Sequence, residues 1–83
     1  MSKNAANPLV LNFHGVKCPY NYVKTKLALE EMEMGQIVEV IVDEGEPARH
    51  VPKSVTADGQ TVLETFKDDA GRIHLVIQKT KEY

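Results

Sequence analysis

Ile37–Asp43, IVEVIVD, decides the fold of this 83-residue chain. Apart from Glu39 and the closing Asp43, every position is β-branched, on both of the faces that alternate along a strand. A strand with one wet face would alternate apolar and polar. A strand apolar on both faces belongs in the middle of a sheet. The flanking chain must therefore supply strands to pair with it and helices to cover it.

Upstream, Leu9–Phe13 (LVLNF) reads as a short strand broken by Gly15. Pro19–Met34 reads as a helix whose main apolar stripe is Tyr22, Thr25, Ala28, Leu29 and Met32, with Lys24, Glu30 and Glu31 opposite. A second, weaker stripe is Tyr20, Val23 and Leu27. It belongs either to the core, under a different helix phase, or to an apolar surface patch. Gly35 is the expected stop. Downstream, Pro47 suits a first helical position, and Ala48, Val51 and Val55 repeat at helical spacing. Pro52 predicts that this helix is short or kinked and ends before Gly59. Thr61–Lys67 and Arg72–Lys79 read as strands joined by the turn Asp68-Asp69-Ala70-Gly71. The order β-α-β-α-β-β predicts an α/β two-layer sandwich, a mixed four-stranded sheet with two helices on one face. Residues 1–8 read as a flexible N-terminal tail, and residues 9–80 are expected to be one domain.

Hydrophobic residues make up 42% and charged residues 27%, the balance of a globular domain rather than a disordered one. The formal net charge of −2 argues against a general nucleic-acid binder, which is usually basic. No apolar run nears the ~18 residues of a membrane span, and the N-terminus lacks a secretory apolar segment. One cysteine excludes an internal disulfide and a cysteine-built metal site, and His14, His50 and His74 lack ligand spacing. No metal and no cofactor are expected, and the cytoplasm is the expected compartment.

That single thiol, Cys18, stands directly before Pro19. Proline is favoured at the first helical position because its missing N–H would be unpaired there anyway. Cys18 is thereby predicted as the helix N-cap, its sulfur facing free N–H groups of Tyr20 and Asn21, which with the positive helix end favour thiolate. A free thiol has a pKa near ~8.5. An exposed helix end contributes about 0.3–1 kcal/mol, against about 1.4 kcal/mol per pKa unit, so the helix alone shifts the thiol by less than about one unit. Lys17 adds to this, as do Lys24 or Arg49 if the fold brings them near. A buried small hydrophobe is the bland alternative, but hydrophobes are poor N-caps and Gly15-Val16-Lys17 looks like an exposed turn. A Cys-His hydrolase needs a base within hydrogen-bond reach, and none is evident. Sulfur carriage needs only an accessible, activated sulfur and a docking surface.

These residues resemble a known family. LNFHGVKCP, then a helix, a strand, VDEGEPARHVP and two further strands, is similar to the TusA/SirA-like sulfur-carrier family from about Leu9 to the end of the last strand. Family members usually read L-D-x-x-G-x-x-C-P-x-P. Here the pattern is carried by Leu11, Asn12 in place of aspartate, Gly15, Cys18 and Pro19, while Asn21 stands where the second proline is usual. Asp43-Glu44 and His50-Val51-Pro52 resemble a second family feature. The resemblance implies that Cys18 accepts sulfane sulfur as a persulfide and passes it to a partner protein in a sulfur relay. The implied partners are a sulfur-donor protein of cysteine desulfurase or rhodanese type and a sulfur-acceptor protein. A monomer is expected, with no direct nucleic-acid or membrane partner.

The catalytic candidate is therefore Cys18. Gly15, Lys17, Pro19, Tyr20 and Asn21 are the motif and thiol-activating candidates. Val23, Lys24, Leu27, Arg49 and His50 are candidates for partner docking, although solvated charge is the simpler reading of each basic residue. Asn21 is expected to loosen the helix start and return an N–H to the sulfur. Asp43 and Glu44 are expected to cap the second helix, His74 to be a surface residue, and Tyr83 to carry no role. The competing function is a non-enzymatic adaptor or redox-sensing regulatory module of the same fold.

Overall fold

The structure, a computed structural model, describes residues 9–17 and 19–83. Four strands, β1 (Leu9–Asn12), β2 (Ile37–Val42), β3 (Thr61–Lys67) and β4 (Ile73–Gln78), form one sheet in the order β1-β2-β4-β3. β1 runs parallel to β2, and β4 pairs antiparallel with both β2 and β3. IVEVIV is thus an interior strand with neighbours on both sides, as its double apolar face requires. The last hairpin folds back so that β4 fills the slot between β2 and β3.

Register sorts the side chains into two faces. Val38, Val40 and Val42 are fully buried and lie level with Leu75 and Ile77 across the β2–β4 ladder. Leu29 of α1 (Tyr20–Glu31), its C-cap Met32, and Val51 and Val55 of α2 (Glu46–Ala57) pack into the same core. Both helices therefore cover one face, giving the two-layer α/β architecture. Burying each of these aliphatic side chains contributes about 1.5–3 kcal/mol, and that gain holds both helices down. The alternate positions, among them Val10, Glu39, Ile41, Phe66, His74 and Val76, share the opposite face. A bulge between Val62 and Glu64 leaves Leu63 exposed.

Three local expectations are corrected. α2 is not short: it runs twelve residues through Pro52, as long as α1. Pro52 removes one backbone donor, but Val51 and Val55 are fully buried beside it and offset that loss. α2 also begins one residue before Pro47, with Gly45 as N-cap. α1 stops at its C-cap Met32, three residues before Gly35. There the buried Lys79, 1% exposed, donates its ammonium to the carbonyls of Met32 (2.6 Å) and Glu30 (3.3 Å). A cation at this end also matches the helix dipole.

The C-terminal segment is tied down as well. Gln60 is buried, donates to the Lys81 carbonyl and accepts from the N–H groups of Thr80 and Lys81. Tyr83 and Tyr22 both donate their hydroxyls to Asp58 Oδ2, so the terminal tyrosine has a structural role after all. Burial, then the Asp58 carboxylate, pushes the Tyr22 phenol up to about 12.

Candidate functional site

The site is the segment between β1 and α1. Cys18 itself lies outside the described residues, but both of its neighbours are described, and they correct the expectation that Cys18 is the N-cap. The N-cap is Pro19, and Tyr20 is the first helical residue, one position later than the Cys-Pro pair predicts. The cause is a tight turn. The Lys17 carbonyl accepts from the N–H groups of Tyr20 (2.8 Å) and Asn21 (3.3 Å), and regular helical bonding continues with Val23 donating to Pro19 (3.0 Å). The amides of Tyr20 and Asn21 are therefore engaged rather than free, and the expectation of free N–H groups there is corrected. Two electrostatic features remain. α1 carries its dipole with no acidic residue in the first turn, and Lys17 and Lys24 are exposed on either side of the helix start.

Asn21 is also not a loosening element. Its side chain is fully buried. Its amide nitrogen donates to the Val16 carbonyl (3.4 Å), its side-chain oxygen accepts from the Tyr22 N–H (2.7 Å), and its main-chain oxygen accepts from the Thr25 hydroxyl (2.8 Å). Where a proline would stiffen the first turn by fixing φ, Asn21 stiffens it by stitching the helix to the preceding turn.

The turn is fastened just as closely on its upstream side. Gly15 has φ +80°, a conformation that disfavours any side chain although nothing lies within 4 Å of where a Cβ would stand. The Phe13 N–H donates to the Ile41 carbonyl (2.8 Å), continuing the β1–β2 ladder, and the His14 N–H donates to Asn12 Oδ1 (3.0 Å). The Gly15 N–H donates to Asp43 Oδ2 (2.9 Å), and the Val16 N–H to the Phe13 carbonyl (3.0 Å). Asp43 Oδ1 meets His14 Nδ1 at 2.6 Å, and Arg72 donates to His14 Nε2 at 3.0 Å. A guanidinium is only a donor, so Nε2 accepts and the proton sits on Nδ1, aimed at Asp43. His14 then has no lone pair left for a general base. The His14 ring, then the Gly15 N–H, hold the Asp43 carboxyl below its ordinary range, so it is ionised at neutral pH. Asp43 is therefore not a cap of α2, and Glu44 pairs instead with Lys67 (2.9 Å).

The docking candidates separate into two groups. Tyr20, Val23 and Leu27 are 63%, 41% and 55% exposed, on the side of α1 away from the buried Asn21, Thr25, Leu29 and Met32. This settles the helix phase: the weaker stripe is surface, with exposed Lys24 beside it. On α2, Arg49 pairs with Glu46 of its own helix (3.3 Å), and His50 meets the Tyr22 ring edge-on, 6.4 Å between centroids. His50 thus sits at the α1–α2 seam rather than with the outward stripe. His74, expected at the surface, is instead mostly covered: its ring stacks on Phe66 and its two nitrogens face Glu39 and Asp68. Hydrogen bonds to Asp68 and then Glu39 raise its pKa. No helix among the described residues is long and apolar enough to cross a membrane.

Comparison with known proteins agrees with this arrangement. The family model described as sulfurtransferase TusA matches residues 9–79. An Archaeoglobus fulgidus protein named "Putative sulfur carrier protein" is 40% identical over 70 residues, covering 84% of this chain and 80% of that one. YedF of Escherichia coli, which carries the same description, is 32% identical over 77 residues, 93% of this chain and 99% of its own. The crystal structure of a SirA-like protein from Desulfitobacterium hafniense superposes with a TM-score of 0.76 at 27% identity, covering 88% of this chain and 99% of that one. With the motif, the strand order and these relatives in agreement, the chain belongs to the TusA family of sulfur-carrier proteins.

Proposed function

We propose that Cys18 accepts sulfane sulfur as a persulfide and hands it to a second protein. In the loading step the Cys18 thiolate attacks the terminal sulfur of a donor cysteine persulfide. A new S–S bond forms to Cys18, the donor's S–S bond breaks, and the donor cysteine leaves as thiolate. The sulfane sulfur keeps its proton, so no outside oxidant or reductant is consumed. Unloading is the same exchange with Cys18 as the leaving thiolate. The donor is a protein of cysteine desulfurase or rhodanese type and the acceptor another thiol protein, both in the reducing cytoplasm.

The observation that carries this reading is the outward stripe of α1. Tyr20, Val23 and Leu27 are apolar, exposed and unused by the core, and the stripe starts two residues after Cys18. It offers a macromolecular donor a contact surface beside the thiol, with Lys17 and Lys24 to attract an acidic rim. The helix start supports the chemistry, because no first-turn carboxylate opposes a thiolate there.

The test is intact mass after incubation with a cysteine desulfurase and L-cysteine. One sulfur atom is gained by the protein and none by Cys18→Ser. A protein that gains no sulfur but is reversibly oxidised at Cys18 would be a redox-sensing module instead.

A further inference from the structure

We infer that Asp43 is a positioning residue for Cys18, acting from the end of β2 on the turn three residues upstream of the thiol. The inference rests on the sulfur-carrier reading above and deepens it. Asp43 bonds two consecutive residues of that turn, with Oδ1 on the His14 ring and Oδ2 on the Gly15 N–H. It takes up the backbone of this turn from the neighbouring strand, and the accepting carboxylate makes both bonds charge-assisted. Gly15 is held in a left-handed conformation at the point of attachment. Arg72 fixes the far side of the His14 ring. On the downstream side Asn21 and the Lys17 carbonyl fasten the same segment to α1. The stretch leading into Cys18 is therefore pinned to β2 before the thiol and to α1 after it.

The sign of the charge shows that this is not activation. Three residues span at most about 10 Å, so an ionised Asp43 repels a thiolate if it acts on it at all. Asp43 serves transfer by geometry. Exchange at an S–S bond needs the attacking sulfur in line with the bond that breaks, and misplacement by about 1 Å costs roughly a hundred-fold in rate. A small alkylating reagent approaches the thiol from any direction and has no such need.

The experiment compares the wild type with Asp43→Ala and Asp43→Asn, first confirming equal melting temperatures. Two rates are read for each: alkylation of Cys18 by iodoacetamide across pH, and sulfur uptake from a cysteine desulfurase with L-cysteine at varied carrier concentration. Both variants lose the same charge, so both show the same small fall in apparent thiol pKa and an unchanged alkylation plateau. The maximal rate of sulfur uptake falls about ten- to hundred-fold in Asp43→Ala at an unchanged half-saturating concentration. Asp43→Asn, which keeps an oxygen for the Gly15 N–H, recovers most of it. Should Asp43→Ala fail to fold, Asp43→Ser, too short to serve both donors, replaces it under the same readings. Uptake by the alanine or serine variant as fast as wild type, or equal slowing in the asparagine variant, overturns the inference. A wild type that takes up no sulfur overturns the carrier reading and this inference together.

Discussion

The two strand-to-helix junctions of this protein are built alike and finished differently. β1 and β2 run parallel and adjacent, so α1 and α2 begin at the same edge of the sheet. Among the described residues, neither N-cap, Pro19 or Gly45, makes a side-chain capping bond. α2 supplies its own negative charge at the first helical position, Glu46, itself paired with Arg49. α1 has Tyr20 at that position and no acid in its first turn, with the cysteine just upstream. A helix N-terminus is a general asset for anions. One junction carries its own carboxylate, and the other keeps its first turn free of acid, which under the proposed function suits a thiolate.

The most drastic way to break the comparison is Cys18→Ser, which removes the group the open junction serves. Sulfur uptake is abolished and the melting temperature stays close to wild type, as intact mass and thermal denaturation will show. Next in size is an effect at the other end of α1. Lys79→Met strips a charged donor from the Met32 and Glu30 carbonyls while keeping the volume. It should destabilise by about 2 kcal/mol in urea titration, since bonds to charged groups are worth roughly 1.5–3 kcal/mol. The Cys18 alkylation profile should be unchanged, which separates holding the helix from tuning its start.

The sharpest version converts one junction into the other. Tyr20→Glu puts an acid where α2 has Glu46. It should raise the Cys18 pKa by roughly 0.2–0.7 of a unit, read from the pH profile of iodoacetamide alkylation. The smallest expected effect lies on the far face of the sheet. Hydrogen bonds to Asp68 and then Glu39 raise the pKa of His74 above its unfolded value of 6.5. A raised folded pKa contributes stability that is fully present below the unfolded value and is lost as pH rises through the folded one. His74→Gln should therefore cost more stability at pH 6 than at pH 9, by urea titration at each pH, with sulfur uptake unaltered.

What the sequence disclosed follows from range. IVEVIVD announces a central strand, and the stripe through Leu29 and Met32 sets the buried side of α1, because both are local periodicities. The Gly-x-x-Cys-Pro pattern marks the candidate site because it too is local. Asp43, by contrast, reaches the turn across a separation of 28 residues, Arg72 reaches His14 across 58, and Lys79 reaches Met32 across 47. No periodicity encodes such contacts. The roles of Asp43 and His74 escape the sequence because their partners become visible only once β1, β2 and β4 lie side by side. The start of α1 was displaced by one residue for a different reason. A proline at the first helical position is a sound expectation, but the Lys17 carbonyl captures two amides in a tighter turn and moves the start to Tyr20. Pro52 shows the opposite case, a local breaker overruled by two buried valines.

The most direct measurement loads the protein with sulfur from a cysteine desulfurase and L-cysteine, removes the donor, and treats it with cyanide, which releases sulfane sulfur as thiocyanate. The account predicts about one thiocyanate per chain, with the peptide containing Cys18 returning from its persulfide to its thiol mass. A Cys18 peptide that keeps its thiol mass throughout, with no thiocyanate released, would contradict it.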